Sequence, residues 1–338
     1  LPGRKSCQQA VRQSDAAGFV AYPRHIHYNS DNFPLRLISD LQDAMSQQDS
    51  GYNTIPIKGM NVSDILSKYQ NDTLVRFVHI SDTHISADPN YNLGEAAHRP
   101  MDGARELVRQ INNLPFEPDF VIHTGDVAYD PDPTAYEKAR EILGEIRYPV
   151  YYLIGNHDDR DMLQRIMFNV QQPRDPYFYE FDFNGVQFVC MDSNAPAPFA
   201  GGTVSLGQLE WLERICREPD SRPLVVCVHH NVLPIGAPFW DEFMRMTNGE
   251  DFHRVLLNAR SRLRGVFFGH VHMATDTYRD GILYSSVLSS WYQLHCYPGQ
   301  KGIEGDVEAD PGFNVISISR TQTFIRRHRF KVTPVVER

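Results

Sequence analysis

The chain has 338 residues, a formal net charge of −9 at neutral pH, and 41% hydrophobic residues. This length allows one large α/β domain with a sizeable core, or one domain with an appendage. The acidic balance, without a basic stripe, argues against a nucleic-acid polymer as the main partner, and no apolar stretch is long enough for a membrane span.

Residues 1–73 precede the first predicted strand and are rich in Gln, Ser, Asp and Asn. Helices are predicted at 35–47 and 62–69, but the apolar content is too thin for a core of its own. We expect an N-terminal arm that wraps the catalytic domain, residues 74–338, or a neighbouring subunit. A homo-oligomer is therefore one possible arrangement.

Five polar motifs follow in chain order, each after an apolar, β-branched run that predicts a buried strand. The polar groups lie where a strand ends and a loop begins, which is where α/β enzymes keep their chemistry. The predicted strands and motifs are 74–80 before Asp82-Thr83-His84, 120–122 before Gly125-Asp126, 150–154 before Gly155-Asn156-His157-Asp158, 224–228 before His229-His230, and 266–268 before Gly269-His270-Val271-His272.

Helices are predicted between these strands, at 96–114, 134–146 and 205–217. The second would begin with a capping box at Thr134 and Glu137, and the third with one at Ser205 and Gln208. Strand and helix alternating at this spacing predict parallel pairing.

Later elements add antiparallel pairing. Asn184-Gly185 predicts a type I′ hairpin between 177–183 and 186–192, and further strands are predicted at 282–288, 313–319 and 324–330. The fold class is therefore α/β, a four-layer sandwich in which two mixed β-sheets lie between helical layers. Residues 233–248 leave the strand before His229 and are predicted to cap the pocket.

The donor atoms in the motifs are carboxylate, amide and imidazole groups, without cysteine. Such donors suit Mn, Fe or Zn. Two cations roughly 3.5–4 Å apart need an anion between them, and Asp126 is the candidate bridge. A lone Asp-x-His or Gly-Asp is usually an ordinary strand-end turn, so the prediction rests on five motifs in order.

The ordered motifs resemble those of the calcineurin-like metallophosphoesterase family, whose pattern is D-x-H, G-D, G-N-H, H and G-H-x-H. The resemblance extends from about residue 75 to at least 297. Within the family, segments 79–84 and 148–159 are most similar to class III cyclic-nucleotide phosphodiesterases and bacterial glycerophosphodiester phosphodiesterases. The resemblance implies the same four-layer fold.

The resemblance also implies two metal ions with Asp126 as their shared ligand. His157 would touch the phosphate and, with Asp126, carry the catalysis, while His230 would support the neighbouring ligand. Asn156, His157 and Tyr292 are the expected substrate contacts. The remaining metal ligands would be Asp82, His84 and His272 on one ion and Asn156, His229 and His270 on the other.

Two departures from the family pattern make the substrate harder to predict than the metal site. Asn231 follows the histidine pair where the family usually has proline. Tyr292 stands where the glycerophosphodiesterases tend to have a substrate-side histidine. Neither position is a predicted metal ligand.

The expected activity is hydrolysis of a small phosphodiester, a glycerophosphodiester or a cyclic nucleotide, by metal-bound hydroxide. Alternatives are a phosphomonoesterase or nucleotide hydrolase on the same site, and a non-catalytic interaction scaffold. Scarce Arg and Lys beside the motifs, Arg160 excepted, favour the singly charged diester. Five widely spaced cysteines without a C-x-x-C pair favour a reducing, cytoplasmic location.

Overall fold

The computed structural model describes residues 73–93, 96–196 and 200–333. The predicted N-terminal arm and its two helices lie outside these residues, so the domain boundary stays a prediction. No helix in the described part of the chain is long and apolar enough to cross a membrane.

Strands and helices alternate through most of the described chain. The strands are β1 (Thr73–Ile80), β2 (Phe120–His123), β3 (Val150–Tyr152), β4 (Tyr179–Phe183), β5 (Val186–Cys190), β6 (Leu224–Cys227), β7 (Leu263–Phe268), β8 (Asp276–Arg279), β9 (Ile282–Ser286), β10 (Gln293–Leu294), β11 (Gly305–Asp306), β12 (Gly312–Ser319) and β13 (Thr323–Arg329). The helices are α1 (Pro100–Asn112), α2 (Pro133–Leu143), α3 (Arg160–Met162) with a π-helical continuation at Leu163–Met167, α4 (Leu206–Arg217), α5 (Pro238–Phe243) and α6 (Gly249–Leu256) with a 3₁₀ turn at Leu257–Ala259.

The strands form two mixed sheets and a short ribbon. One sheet has the order β13-β12-β1-β2-β3, and the other has the order β4-β5-β6-β7-β9-β8. The strands that precede the motifs pair in parallel, β1 with β2 and β2 with β3 in one sheet, and β6 with β7 in the other. Their C-terminal ends therefore lie at a common edge of each sheet.

Three apolar clusters separate four layers. Phe77, Phe120 and Phe188 belong to the cluster between the sheets, where Phe77 stacks on Phe120 at 5.5 Å between ring centroids. A second cluster packs α1 and α2 on the outside of the first sheet, and a third packs α4 and α6 on the outside of the second. The predicted four-layer α/β sandwich is confirmed.

The start of α2 differs from its predicted capping box. The side chain of Asp132 accepts a hydrogen bond from the Thr134 backbone N at 2.7 Å, and Pro133 occupies the first helical position. Thr134 is thus inside the helix, and its predicted role as the cap is wrong. Ser205 does cap α4, because its Oγ accepts from Gln208 N.

The predicted hairpin turn is present between β4 and β5. Asn184 has φ of 46° and Gly185 has φ of 76°, the two positive values that a type I′ turn requires. Asparagine tolerates this left-handed conformation better than most residues with a side chain, and glycine adopts it without steric cost.

Candidate metal centre

Backbone hydrogen bonds join the motif loops in pairs. Asp82 N donates to Gly125 O at 3.0 Å, and His84 N donates to Asp126 O at 3.1 Å. In the second sheet, Gly269 N donates to His229 O at 3.0 Å. The loops therefore present their side chains from fixed positions.

Left-handed backbone conformation is concentrated at the predicted ligands. Eight non-glycine residues within the described ranges have positive φ, and five of them are predicted metal ligands. This conformation costs of order 1 kcal/mol or more for a residue with a Cβ, and it clusters at functional sites. The five are Asp82, His84, Asp126, His270 and His272.

Two glycines make room for the carboxylates. A Cβ at Gly155 would collide with Asp126 Oδ1, and one at Gly269 would collide with Ser81 Oγ and approach Asp82 Oδ2 to 2.7 Å. The absence of a Cβ at both positions therefore permits this close approach. It packs one motif against the carboxylate of another.

The first predicted ligand group is brought together by the fold. His84 Nε2 and His272 Nε2 lie 2.9 Å apart, and Asp82 Oδ1 is 3.4 Å from His272 Nε2 and 4.0 Å from His84 Nε2. All three side chains are buried. Their donor atoms lie close enough to hold one metal ion.

The second group adjoins the first through Asp126. Its Oδ2 is 3.4 Å from His229 Nε2 and 3.6 Å from His84 Nε2, so one oxygen atom faces both groups. Asn156 Oδ1 lies 3.1 Å from His229 Nε2. His270 offers a nitrogen within 4.8 Å of those of His229 and His230.

Backbone carbonyls orient three of the imidazoles. His229 Nδ1 donates to Thr124 O at 2.8 Å, and His272 Nδ1 donates to Tyr292 O at 3.0 Å. His270 donates through Nε2 instead, to Met244 O at 2.9 Å. A carbonyl only accepts, so each ring, once it is neutral, has its other nitrogen free as a lone-pair donor, the arrangement typical of metal-ligating histidines. The donor set therefore fits a metal pair.

The electrostatics of the cluster also fit cations. Burial opposes ionisation of Asp126, but His229 and His157 offset it and hold the pKa of that carboxyl well below its usual range. Burial lowers the pKa of His270 to about 3, so its ring is neutral at physiological pH. For His229, Asp126 and Asp82 outweigh burial and raise the pKa to about 9.

His157 lies at the edge of the cluster and is only half-buried. Its backbone N donates to Asp126 Oδ1 at 2.9 Å, and its Nδ1 donates to Tyr129 O at 2.6 Å. The ring centroid is 4.8 Å from that of His84. These bonds leave Nε2 for a substrate oxygen, while the predicted role at the phosphate stays a prediction.

Asp158 supports the site in a way that the sequence did not indicate. Its carboxylate accepts hydrogen bonds from the backbone N atoms of Val127, Ala128 and Gly155, at 3.0 to 3.2 Å. It thereby ties the loop after β2 to the loop after β3. Burial and the nearby Asp126 raise its pKa to about 6.

The structure places the two other singled-out residues beside the ligands. Tyr292 packs its ring 5.0 Å from that of His272, in addition to holding His272 through its carbonyl. His230 contacts Ser193 Oγ through Nδ1 at 2.7 Å, and its ring lies 4.6 Å from that of His270. His230 is therefore near enough to join the second group as well as to support it.

The predicted cap segment, 233–248, contacts the second ligand group. It contains α5, whose Trp240 is fully buried with its ring 5.7 Å from that of His270. Met246 N donates to Asn231 O at 3.0 Å, which ties the end of the segment to the loop after β6. The segment orients His270, whose ring donates a hydrogen bond to Met244 O. Its role in closing the pocket stays a prediction.

The sequence is similar to those of known metal-dependent phosphoesterases, in agreement with the geometry of the site. The family model for calcineurin-like phosphoesterases matches residues 75–274. The chain is 30% identical to glycerophosphodiester phosphodiesterase GpdQ of Enterobacter lignolyticus, over 59% of this chain and 71% of that protein. It is 28% identical to the 3′,5′-cyclic adenosine monophosphate phosphodiesterase CpdA of Pseudomonas aeruginosa, over 63% of this chain and 77% of that one.

The fold is also similar to that of a dimetal phosphatase from Danio rerio, with a TM-score of 0.52 and 16% identity, over 75% of this chain and 99% of that chain. Fold and site together define a metal-dependent phosphoric ester hydrolase of the α/β sandwich class. The chain belongs to the calcineurin-like phosphoesterase family, a family of binuclear metal enzymes, as its motifs predicted.

Proposed function

We propose that this protein hydrolyses small phosphodiesters, with a glycerophosphodiester or a cyclic nucleotide as substrate. The observation that carries the proposal is the position of Asp126 Oδ2, 3.4 Å from His229 Nε2 and 3.6 Å from His84 Nε2. One carboxylate oxygen facing two groups of metal donors is the arrangement that a metal pair needs.

The ligand roles follow from this arrangement. Asp82, His84 and His272 would hold one ion, Asn156, His229 and His270 the other, and Asp126 both. The oxygen and imidazole donors suit Mn, Fe or Zn, and we infer that the ions come from this set. When bound, the pair supplies an activated water and withdraws charge from the phosphoryl oxygens.

The protein's own groups position the substrate and handle the proton. Asn156 extends its amide beside the second group, where it can contact a phosphoryl oxygen as well as a metal. In its doubly protonated form, His157 would donate from Nε2 to the oxygen that becomes the leaving alkoxide, with the ring fixed by the Tyr129 carbonyl at 2.6 Å. Tyr292 would contact the substituent beyond the phosphate.

The charge around the site favours a diester over a monoester. A monoester dianion needs positive side chains for its additional charge. Arg160, the cation next to a motif, is engaged by Asp192 Oδ2 at 2.5 Å and by Asn194 O. A second carboxylate, that of Asp175, lies 3.6 Å from its Nη1. The metal pair is thus left as the main positive group, sufficient for a monoanion.

The relatives support the same conclusion, since both are named as phosphodiesterases. We infer that the partner is a small phosphate ester and not a nucleic-acid polymer. The cytoplasmic location and a homo-oligomeric state stay predictions. The four free cysteines in the described ranges, of which three are buried, are compatible with a reducing compartment.

Steady-state kinetics with Mn²⁺ test the substrate class. We expect a higher kcat/KM for bis(p-nitrophenyl) phosphate than for p-nitrophenyl phosphate. A consistent preference for the monoester over several pH values would favour the phosphatase instead.

Protein purified without added metal should carry close to two transition-metal ions per chain by plasma mass spectrometry. Absence of metal, with no hydrolysis after Mn²⁺ addition, would support a non-catalytic scaffold.

A further inference from the structure

Four aromatic side chains form a continuous surface beside the first ligand group, which we call the aromatic wall. Its members are Tyr91, Tyr129, Trp291 and Tyr292. The ring centroids of Tyr91 and Tyr129 lie 4.6 Å apart, those of Tyr129 and Trp291 5.7 Å apart, and those of Trp291 and Tyr292 4.6 Å apart. The wall therefore joins the loop after β1, the loop after β2 and the segment before β10.

The wall contacts the reacting region directly. The Tyr129 ring lies 5.4 Å from that of His157, at an interplanar angle of 32°. The Trp291 ring lies 5.8 Å from that of His84. A substituent on a phosphate held beside His157 would thus meet the partly exposed Tyr129 ring.

The wall is fixed at its centre and accessible at its ends. Trp291 is only 1% exposed, and its Nε1 donates to His98 O at 3.0 Å and to Asn92 Oδ1 at 3.1 Å. Tyr91, Tyr129 and Tyr292 are half-buried, so part of each remains open to solvent. A rigid, partly exposed aromatic face is suited to stacking, because little conformational entropy is lost on binding.

The chemistry of the wall favours a planar ring over an uncharged polyol. A planar ring that stacks on an aromatic face has a large contact area and a favourable stacking energy. A glycerol group on the same face would lose hydrogen bonds that it makes with water. None of the four wall residues carries a charge that would recognise a carboxylate group, and an ammonium group would be held only by a cation–π contact.

We propose that the aromatic wall is a subsite that stacks the nucleobase of a nucleotide-type phosphodiester, with Tyr91 and Tyr129 as specificity-determining residues. Base-bearing diesters would then be preferred over glycerophosphodiesters. The inference rests on the proposed function, because the wall can be a substrate subsite only if the neighbouring centre hydrolyses phosphate esters.

The test compares two phosphate ligands of which one carries a base and the other an anomeric hydroxyl in its place. The dissociation constants of adenosine 5′-monophosphate and ribose 5-phosphate are measured by calorimetry on Mn²⁺-loaded protein. Tyr129→Leu removes the ring and keeps the backbone carbonyl that binds His157. Tyr129→Phe keeps the ring, and Tyr278→Leu, at a tyrosine 75% exposed on β8, is the matched control.

We expect wild type, Tyr129→Phe and Tyr278→Leu to bind the base-bearing ligand about tenfold more tightly, within the range of base stacking on aromatics. Tyr129→Leu should bring the two constants to within about twofold. Tyr91→Leu, on a different segment, should also reduce the difference between the two dissociation constants. It replaces Tyr129→Leu in the test if that variant fails to fold. The ratio of kcat/KM for 3′,5′-cyclic AMP to that for glycerophosphoglycerol should fall in parallel.

Equal affinities of wild type for the two ligands, or a ratio unchanged in both leucine variants, would overturn the subsite. Hydrolysis of bis(p-nitrophenyl) phosphate by wild type distinguishes this from a failure of the proposed function. If that hydrolysis is present while the ligands bind equally, the wall assignment alone is wrong. If wild type does not hydrolyse bis(p-nitrophenyl) phosphate at saturating Mn²⁺, the proposed phosphodiesterase activity is contradicted.

Discussion

The two oxygens of the Asp126 carboxylate make different contacts. Oδ2 faces His84 and His229, whereas Oδ1 accepts the backbone hydrogen bond of His157 at 2.9 Å. One side chain thus connects both ligand groups to the histidine expected at the phosphate. The left-handed φ of 54° at this residue is needed to aim it there.

Asp126→Asn should release metal and abolish most of the activity. An amide keeps the shape but loses the anion between two cations, so we expect fewer than two ions per chain. The fall in kcat should exceed the roughly 10–100-fold typical of groups that only support a ligand. Metal content and kinetics are measured on the same sample. Two retained ions with near-normal turnover would refute the bridge.

His157→Ala should separate catalysis from metal binding. Because the ring adjoins the ligand groups from a half-buried position, kcat should fall by about 10²–10⁴, the usual effect of losing an acid–base group, with metal content unchanged. Plasma mass spectrometry supplies the control. Loss of an ion in this variant would make His157 a ligand.

The predicted ligands and the supporting residues differ in how well a sequence can indicate them. Asp82, His84 and the others stand in short motifs, where residue type and spacing carry the chemistry. Asp158 and the carbonyls of Tyr129, Met244 and Tyr292 act through contacts between distant loops. Any residue can offer a carbonyl, so the sequence contains no pattern for it.

At the scale of single elements, the beginnings of helices are the weakest predictions. The Thr134 to Glu137 spacing matches a capping box, but the preceding Asp132-Pro133 pair supplies a better cap and first turn. The strands before the motifs were more predictable, because each of them combines an apolar run with a polar motif. The largest displacement among those before the motifs is at β7, which begins at Leu263 rather than Val266.

Asp132→Ala should destabilise the protein by about 0.5–2 kcal/mol, as expected for removal of a helix cap. Thr134→Ala should leave the free energy of unfolding unchanged or slightly raise it, since alanine favours the helix interior. Urea unfolding of the two variants compares them directly. A larger loss for Thr134→Ala would restore the original capping box.

Some elements without a sequence motif were missed for a physical reason. The short strands β8, β10 and β11 and the helix α6 have no distinctive polar signature, and their pairing depends on the sheets already being formed. The four-layer plan was predictable because alternating strands and helices leave few ways to bury both faces of two sheets.

At the scale of the whole molecule, an acidic chain contains a buried centre that requires cations. In the metal-free protein, Asp126 and Asp82 raise the pKa of His229 to about 9 against the effect of burial. A metal ion that binds His229 must therefore displace a proton at neutral pH.

The apparent affinity for Mn²⁺ should rise with pH. Between about pH 6 and pH 9, release of this one proton gives about a tenfold gain per pH unit, and the gain should level off above the pKa. Competition titrations with a chelator of known affinity measure it. An affinity independent of pH over this interval would mean that His229 is unprotonated or not a ligand.

We expect one metal ion on each side of the Asp126 carboxylate and a phosphate held in front of His157. Anomalous diffraction from crystals grown with Mn²⁺ and inorganic phosphate tests it most directly. We predict two anomalous peaks roughly 3.5–4 Å apart, both in contact with Asp126, and a phosphate oxygen within hydrogen-bonding distance of His157 Nε2. A single peak, or a peak held by His229, His230 and His270 without Asp126, would contradict the account.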